Sequence, residues 1–396
     1  MSCRNQIVSW RFFHLLLAAV GASVLVGCGS QPVASANSTA LPFDQAIEVA
    51  TDALVAQTQK MPGFLAPLDK RSVVLDPSID GASGQQTLAT QRLDRAVAER
   101  LTRGGQIEVL PFQATDIAKA RYLLAGTLLR QQDRYRLDLA LVDVQTGVVA
   151  AQASALARAD GVDMSPLPYY RDSPVLVKDQ VVEGYVRTSS TPPGQKADRL
   201  YLERIATATV VNDATLLYDA ARYKEALQRY RSAAAAPGGD QIRVLNGIYL
   251  STLKLGQTAE AEQAFGRVVA YGISHDRLGV KFLFSPGSTD FWPDPKVSSA
   301  YAMWLRQIAR QGTAAKVCMD IVGHTSKTGT EAVNDSLSLK RALYIKQRLG
   351  SESAEFANRA RTEGMGSRMN IVGSGSDDVV DALDRRVEFT IVECAR

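Results

Sequence analysis

The sequence is 396 residues long, with 46% hydrophobic and 22% charged residues. This length predicts two to four domains, and this composition excludes an intrinsically disordered chain. The formal net charge of +4 is small and does not indicate a surface that binds nucleic acid.

The first 27 residues have the pattern of a secretory signal peptide. Arg4 and Arg11 precede an apolar run at 14–27, and no acidic residue lies near them. This run is too short to span a membrane comfortably, so we interpret residues 1–27 as a signal rather than an anchor helix.

The signal ends in "LVGC" (residues 25–28), which resembles a bacterial lipobox. The resemblance implies cleavage before Cys28 and lipidation of this cysteine; an ordinary signal with a chance cysteine is the alternative. Neither Gly29 nor Ser30 is an aspartate, and by resemblance to known lipoproteins this implies export to the outer membrane. Residues 28–42 are then a flexible linker that leads into the periplasm.

Residues 43–156 have the pattern of an α/β domain. A helix, a short strand, a second helix and a second strand precede three strand-like runs with hairpin-short connections. This order predicts a sheet covered by helices. The stretch "LAGTLLRQQDRYRLDLALVDVQTGVVAA" resembles the N-terminal domains of FlgO, CsgG and TolB-like bacterial envelope proteins. That resemblance implies an assembly and scaffolding unit that contacts other proteins.

Residues 157–196 are rich in proline, serine and charged residues, which predicts a connector with one short strand. Tyr169 and Tyr170 lie within it. They form either a partner-binding patch or a pair that packs the loop against the rest of the protein.

Residues 197–274 contain an internal helical repeat. Two stretches superpose with Ala226 on Ala261 and Tyr230 on Phe265, each in the order helix, turn, helix. The period and the small residues resemble tetratricopeptide repeats. Two repeats are fewer than a free-standing array needs, so we expect them to pack against a neighbouring helix. A peptide-binding groove and a spacer between two domains both remain open.

Residues 278–396 are predicted to form a β-α-β-α-β-β domain. The pattern places its strands at "VKFLFSPGSTDFW", "KVCMDIVGHTS", "RMNIVGSGSDD" and "DRRVEFTIVEC". With "GHTSKTGTEAVNDSLSLKRA" (323–342), "EGMGS" and "DRRVEF", this region resembles the OmpA-like peptidoglycan-associated domain. The fold class expected for the chain is multidomain: an α/β sheet domain, tetratricopeptide-like helices and an OmpA-like domain.

The OmpA-like resemblance implies a binding site for the peptide stem of peptidoglycan, whose diaminopimelate carries carboxylates and an ammonium group. Arg341 matches the position that binds a carboxylate, for which a guanidinium is a planar, permanently charged partner. Thr325 and Asn334 belong to the same motif, and Asn334 would orient its turn and helix. Ser326 occupies the position where the family has an aspartate for the ammonium.

The serine at position 326 offers a hydroxyl but no charge. Losing a charge-assisted hydrogen bond costs about 1–3 kcal/mol, or about ten- to hundredfold in affinity. Glu331 or Asp335 could compensate, whereas Lys327 is unfavourable to an ammonium. Three outcomes stay open: weakened or altered wall binding, near-normal binding through Arg341 and helix amides, and a domain kept only for protein contacts.

Two cysteines remain after Cys3 and Cys28 are set aside. Cys318 begins one predicted strand and Cys394 ends the last, so antiparallel pairing would bring them within disulfide distance in an oxidising compartment. The sequence shows no nucleophile–base pair, phosphate-binding loop or metal-ligand spacing. We therefore expect no enzyme activity, metal site or cofactor.

These features predict an outer-membrane lipoprotein that tethers the envelope to peptidoglycan and scaffolds periplasmic partner proteins. The alternative is an assembly or regulatory subunit of an envelope machine for secretion, pili, flagella or wall synthesis. In that case wall binding is weak or lost. A homo-oligomer formed through the N-terminal domain would favour this alternative.

Overall fold

The computed structural model describes residues 39–59, 71–285, 287–373, 375 and 380–394. The predicted signal peptide and lipobox at 1–28 lie outside the described residues. Within those ranges, no helix is both long enough and apolar enough to cross a membrane. The chain is mixed α/β, as predicted.

The N-terminal part is a six-stranded sheet with its own helices, which we call the sheet domain. Its elements are α1 (Phe43–Gln59), β1 (Arg71–Leu75), β2 (Ile79–Asp80), α2 (Leu88–Arg103), β3 (Ile107–Leu110), α3 (Ala114–Ile117), β4 (Tyr122–Gln131), β5 (Arg134–Asp143) and β6 (Val149–Arg158). The strand order is β3-β1-β4-β5-β6, with β2 beside β4. Strand β1 is parallel to β3 and β4, whereas β4, β5 and β6 form an antiparallel meander.

Side-chain alternation along the central strands buries both faces of this sheet. Leu137 and Leu139 of β5 lie in the core beneath α1 and α2. Ala140 and Val142 of the same strand lie in a separate core on the opposite face. Because successive strand side chains point to opposite faces, helices must cover both sides to exclude water.

The predicted connector at 157–196 contains two helices, where the sequence predicted one short strand. Its two helices are α4 (Pro168–Asp172) and α5 (Gln180–Ser189). The carboxylate of Asp179 starts α5 by accepting hydrogen bonds from the N–H groups of Val181 and Val182. Val182 and Tyr185 then pack on the second face of the sheet.

Tyr169 and Tyr170 are part of the core, so the alternative of a partner-binding patch is wrong. They are 1% and 2% exposed. The Tyr169 hydroxyl donates to the carbonyl of Arg243 at 2.7 Å, and its ring stacks on Tyr230 with the centroids 5.9 Å apart. The pair therefore packs this segment down onto the helices that follow.

Four helices form the middle of the molecule. They are α6 (Arg199–Asp219), α7 (Tyr223–Ala235), α8 (Ile242–Lys254) and α9 (Thr258–Ser274). The superposed residues Ala226, Ala261, Tyr230 and Phe265 are all fully buried. Each pair of small and aromatic residues thus fills the same place in its helical hairpin.

The C-terminal domain contains a four-stranded mixed sheet. Its elements are β7 (Arg277–Val280), α10 (Pro295–Ser298), α11 (Tyr301–Ala314), β8 (Cys318–Gly323), α12 (Glu331–Glu352), α13 (Ala354–Asn358), β9 (Ala360–Gly364), a 3-10 turn (Val380–Leu383) and β10 (Val387–Val392). The strand order is β7-β10-β8-β9. Strands β8 and β9 are parallel, and β10 is antiparallel to both of its neighbours.

Two strands of this domain lie earlier in the chain than predicted. The third strand is β9, not the stretch "RMNIVGSGSDD", where the N–H groups of Ile371, Val372 and Gly373 instead bind the carboxylate of Asp384. The apolar residues there pointed to a strand, but this side-chain acceptor replaces a sheet neighbour. Strand β7 likewise ends where the predicted first strand begins.

The α9 helix packs against α11 of the C-terminal domain. Trp304 Nε1 donates to the Tyr249 hydroxyl at 2.7 Å, and the Phe265 and Trp304 rings stack with centroids 5.7 Å apart. This buried aromatic contact favours the spacer interpretation of the helical repeat over the peptide-binding groove.

Cys318 and Cys394 form a disulfide bond in this structure, with their Cα atoms 5.2 Å apart. The antiparallel register pairs Val392 with Cys318, so Cys394 lies just beyond the end of β10. The bond therefore lies at the start of β8, whereas the 323–342 motif begins at the other end of this strand.

Candidate functional site

The motif at 323–342 contains the last residue of β8, a turn and the first part of α12. We call the turn, residues 324–330, the motif turn. A Cβ atom at Gly323 would lie 2.1 Å from the carbonyl oxygen of Ser338, so only glycine allows β8 to approach α12 this closely. Gly329 has a φ of +95°, which strongly favours glycine. The Thr330 side chain then caps α12 by accepting from the N–H of Val333.

Thr325 is held by backbone contacts on both sides. Its N–H donates to the carbonyl of Gly366 at 2.9 Å, and its carbonyl accepts from Asn370 Nδ2 at 2.8 Å. The residue is only 2% exposed, yet its hydroxyl and Asn370 Oδ1 have no hydrogen-bond partner among the described residues. Buried polar atoms without partners are costly, and such atoms often belong to a binding site.

Ser326 of the motif turn and Asn334 of α12 are both buried and are hydrogen-bonded to each other. They are 6% and 4% exposed. Asn334 Nδ2 donates to the carbonyl of Ser326 at 3.4 Å, which links the first turn of α12 to the loop. In this structure Asn334 therefore positions the backbone of the residue that replaces the family's aspartate.

Arg341 is almost fully buried, at 4% exposure. Its Nε and Nη2 atoms donate to the carbonyls of Ser288 and Ser285 at 3.2 and 3.3 Å. The guanidinium carbon also lies 4.8 Å from the ring centroid of Phe284. A ligand carboxylate that binds the Nε–Nη2 edge of this guanidinium would have to displace these loop carbonyls.

Glu331 and Asp335 are both engaged by Arg368. Asp335 and Arg368 form a short ion pair, and Glu331 lies 3.6 Å from the same guanidinium. The hydrogen bond with Asp335 raises the pKa of Arg368, so this cation keeps its charge. Neither carboxylate is therefore an uncompensated substitute for the aspartate that the resemblance implies at position 326.

The motif turn is hydrogen-bonded through His324 to the "DRRVEF" signature. The N–H of His324 donates to the carbonyl of Arg386 at 3.0 Å. Arg386 forms a buried ion pair with Glu388 at 2.8 Å. Asp384 binds three backbone N–H groups, while its burial raises its pKa.

Sequence reasoning missed the parts played by Asn370 and Asp384. Asn370 lies in the stretch that was predicted to be a strand, and it holds Thr325 across 45 residues of sequence. Asp384 lies inside the quoted "DRRVEF" signature, which was the available signal. In the described ranges, no three histidine, cysteine, aspartate or glutamate side chains are grouped so that they could hold a metal ion.

Comparison with known proteins assigns this domain. Residues 283–382 match the OmpA family. Outer membrane protein A of Bordetella avium is 40% identical over 89 residues, which is 22% of this chain and 45% of that protein. The match thus spans less than half of this curated relative.

Several solved structures are similar to about a third of the chain. The periplasmic domain of Helicobacter pylori MotB is 17% identical, covers 30% of this chain and 76% of that one, and has a TM-score of 0.25. The cell wall anchor of the T6SS from Pseudomonas aeruginosa is 22% identical, with coverages of 30% and 81% and a TM-score of 0.25. The peptidoglycan-associated lipoprotein from Burkholderia pseudomallei is 22% identical, with coverages of 29% and 89% and a TM-score of 0.24.

The family match falls within the predicted C-terminal domain and includes the whole motif turn, α12 and the loop over Arg341. It does not extend to the sheet domain or to the helices α6–α9. The C-terminal domain of this chain is therefore OmpA-like.

Proposed function

We propose that this protein anchors the cell envelope to peptidoglycan through its OmpA-like domain. The observation that carries the proposal is the burial of four polar motif residues, Thr325, Ser326, Asn334 and Arg341, inside the segment that matches the OmpA family. Arg341 would bind a carboxylate of the diaminopimelate stem, and the motif turn would contact the rest of the residue.

The other end of the tether is a lipid on Cys28 in the outer membrane. The sheet domain and the α6–α9 helices would then hold periplasmic partner proteins at a fixed distance from the wall. Two attachments of modest strength combine because binding at one end raises the effective concentration at the other.

The direct test is co-sedimentation of the full chain, in detergent, with purified diaminopimelate-type peptidoglycan. We expect the native protein to pellet with the wall and Arg341→Ala to stay in solution. Arg348→Ala is the matched control, because it removes an exposed arginine from the same helix. Arg341→Lys keeps the charge but not the fork, so it separates lost recognition from lost folding.

The result also decides what Ser326 does. Pelleting of the native chain means that the serine is tolerated. If the native chain stays in solution and Ser326→Asp pellets, wall binding has been lost through this residue. If neither pellets, the proposed anchor is wrong.

A second candidate is an assembly or regulatory subunit of an envelope machine. It is favoured by the loop carbonyls that already occupy Arg341 and by the absence of a carboxylate at position 326. Analytical ultracentrifugation tests it: a closed homo-oligomer would support this role, and a monomer that pellets with the wall would contradict it.

A further inference from the structure

A cleft of about 250 Å³ lies between the sheet domain and the OmpA-like domain. We call it the basic cleft. It is lined by Ala82, Arg130, Gln132, Lys327, Ser367, Arg368, Asn370, Ile371, Val372 and Gly373. Three of these residues are cationic and none is acidic. The volume corresponds to several water molecules, which is room for an oxyanion and the atoms attached to it.

The sheet domain contributes one cation from the end of β4. Arg130 Nε donates to the carbonyl of Gln132 in the β4–β5 turn at 3.2 Å, and its guanidinium lies 5.9 Å from the ring centroid of Tyr135. The backbone of the turn and an aromatic face therefore fix this arginine. Within the described residues, no carboxylate lies at ion-pair distance from it.

The OmpA-like domain contributes Lys327, the residue that follows Ser326 in the motif turn. A Cβ atom at Gly373 would lie 3.4 Å from Lys327 Nζ, so the ammonium rests against this glycine. No ion pair of Lys327 occurs in the described part of the chain. Arg368 also lines the cleft, but its charge is shared with Asp335 and Glu331.

The basic cleft is continuous with the motif turn. Asn370 lines the cleft and also donates to the carbonyl of Thr325. Its Oδ1 atom is buried and has no partner in the part of the chain that the structure describes, so it can accept a hydrogen bond from a ligand amide or hydroxyl. Within the described residues, two cations lack an acidic partner and one acceptor lacks a donor, and this set suits a carboxylate that is attached to a peptide.

We propose that the basic cleft binds a second carboxylate of the peptidoglycan stem peptide, so that the sheet domain completes the binding site of the OmpA-like domain. This inference rests on the proposed wall-binding function. It gives Ser326 a physical reason, because an aspartate there would place a negative charge beside Lys327 and repel the anion. With serine rather than aspartate at position 326, we expect this part of the site to bind a ligand carboxylate rather than a ligand ammonium.

The test is calorimetric titration of the full chain, in detergent, with a soluble stem tripeptide that ends in diaminopimelate. We expect Arg130→Gln and Lys327→Gln each to weaken binding about tenfold, since each removes a charge-assisted contact. Arg134→Gln is the matched control: it removes a cation of the same hairpin that pairs with Asp133 outside the cleft. We expect its affinity to equal that of the native chain.

Arg130→Gln also removes a hydrogen bond within the β4–β5 turn, so on its own it could weaken binding by distorting that turn. Lys327→Gln controls for this effect, because Lys327 lies on the opposite wall of the cleft and makes no hydrogen bond to the β4–β5 turn. Amidation of the peptide's carboxylates is the complementary change. It should weaken binding to the native chain more than binding to the Arg130→Gln variant.

The outcomes separate this inference from the proposed function. If both cleft variants bind like the native chain while Arg341→Ala loses the peptide, the basic cleft is wrong and the anchor stands. If the cleft variants lose affinity while Arg341→Ala does not, the cleft stands and the site proposed at Arg341 is wrong. A native chain that does not bind the peptide overturns both.

Discussion

The loop after β1 and the motif turn after β8 both bury polar side chains at the end of a strand, but they supply partners differently. In the first, the Asp76 carboxylate accepts a hydrogen bond from the Tyr201 hydroxyl at 2.8 Å, and the two oxygens of Asp94 share the N–H of Ser78. Burial raises the pKa of each of these carboxyl groups to about 7.

The motif turn, by contrast, buries Thr325 with a hydroxyl that has no partner among the described residues, and the following helix buries Arg341 against loop carbonyls. In the loop after β1, a donor inside the protein reaches each of the two buried carboxylates, so these carboxylates serve the architecture. The Ser78 hydroxyl there has no hydrogen-bond partner among the described residues. In the motif turn, polar capacity is left over, as expected where a ligand binds. The comparison predicts that changes near Asp76 alter stability alone, whereas changes at the motif turn alter binding.

The largest effect on stability is expected from removing the disulfide. The Cys318→Ser, Cys394→Ser double variant opens a cross-link between residues 76 apart in sequence. We expect its free energy of unfolding to fall by about 2–4 kcal/mol. Urea unfolding of the native chain and the variant, both without reductant, measures the difference.

The same variant also tests whether the two ends of β8 act independently in wall binding. The disulfide lies at the start of β8 and the motif turn follows the end of that strand, so co-sedimentation with peptidoglycan should be unchanged. A variant as stable as the native chain would contradict the structural role of the bond. A folded variant that no longer pellets would contradict the separation of the two ends of β8.

The next effect is expected from Gly323→Ala. The new methyl group would lie 2.1 Å from the carbonyl oxygen of Ser338, so β8 and α12 must move apart. We expect a loss of about 1–3 kcal/mol, together with loss of wall binding because the motif turn moves with the strand.

Gly350→Ala is the control for that change. Its methyl group would lie 3.5 Å from Ala357 Cβ, which is an ordinary contact, and it sits within the same helix α12. Thermal unfolding and co-sedimentation of the two variants form one experiment. Equal behaviour of both glycine variants would show that close approach of β8 to α12 does not shape the site.

The sequence predicted the motif turn well because local signals agree there. A strand with alternating apolar residues ends in a glycine, and a capped helix with an ungapped motif follows. The contacts of Arg341 were not predictable in this way. Its partners Ser285 and Ser288 lie more than 50 residues away, and no periodic pattern encodes a hydrogen bond to a loop carbonyl.

The errors in the fold have the same origin. Helix α5 contains Val181, Val182 and Tyr185, residue types with modest helix propensity, and the helix is stabilised by packing on the sheet. Strand β9 is at the sheet edge and carries polar residues, so it shows no clear apolar alternation. In both cases a distant element, rather than the local sequence, decides the structure.

The smallest expected effect is the pH dependence contributed by Asp76. A carboxyl group whose pKa is raised in the folded state to about 7 holds its proton more tightly there than in the unfolded chain. Stability is therefore lost as the pH rises through 7, by about 1.4 kcal/mol between pH 6 and pH 8 for one such group.

Asp76→Asn removes that titration while keeping an oxygen that can accept from Tyr201. We expect the fall in unfolding free energy between pH 6 and pH 8 to be smaller by about this amount, with wall binding unchanged at both pH values. Urea unfolding at the two pH values measures it. An unchanged pH dependence would show that Asp76 is already ionised at pH 6, and altered wall binding would show that the loop after β1 and the motif turn are coupled through the sheet domain.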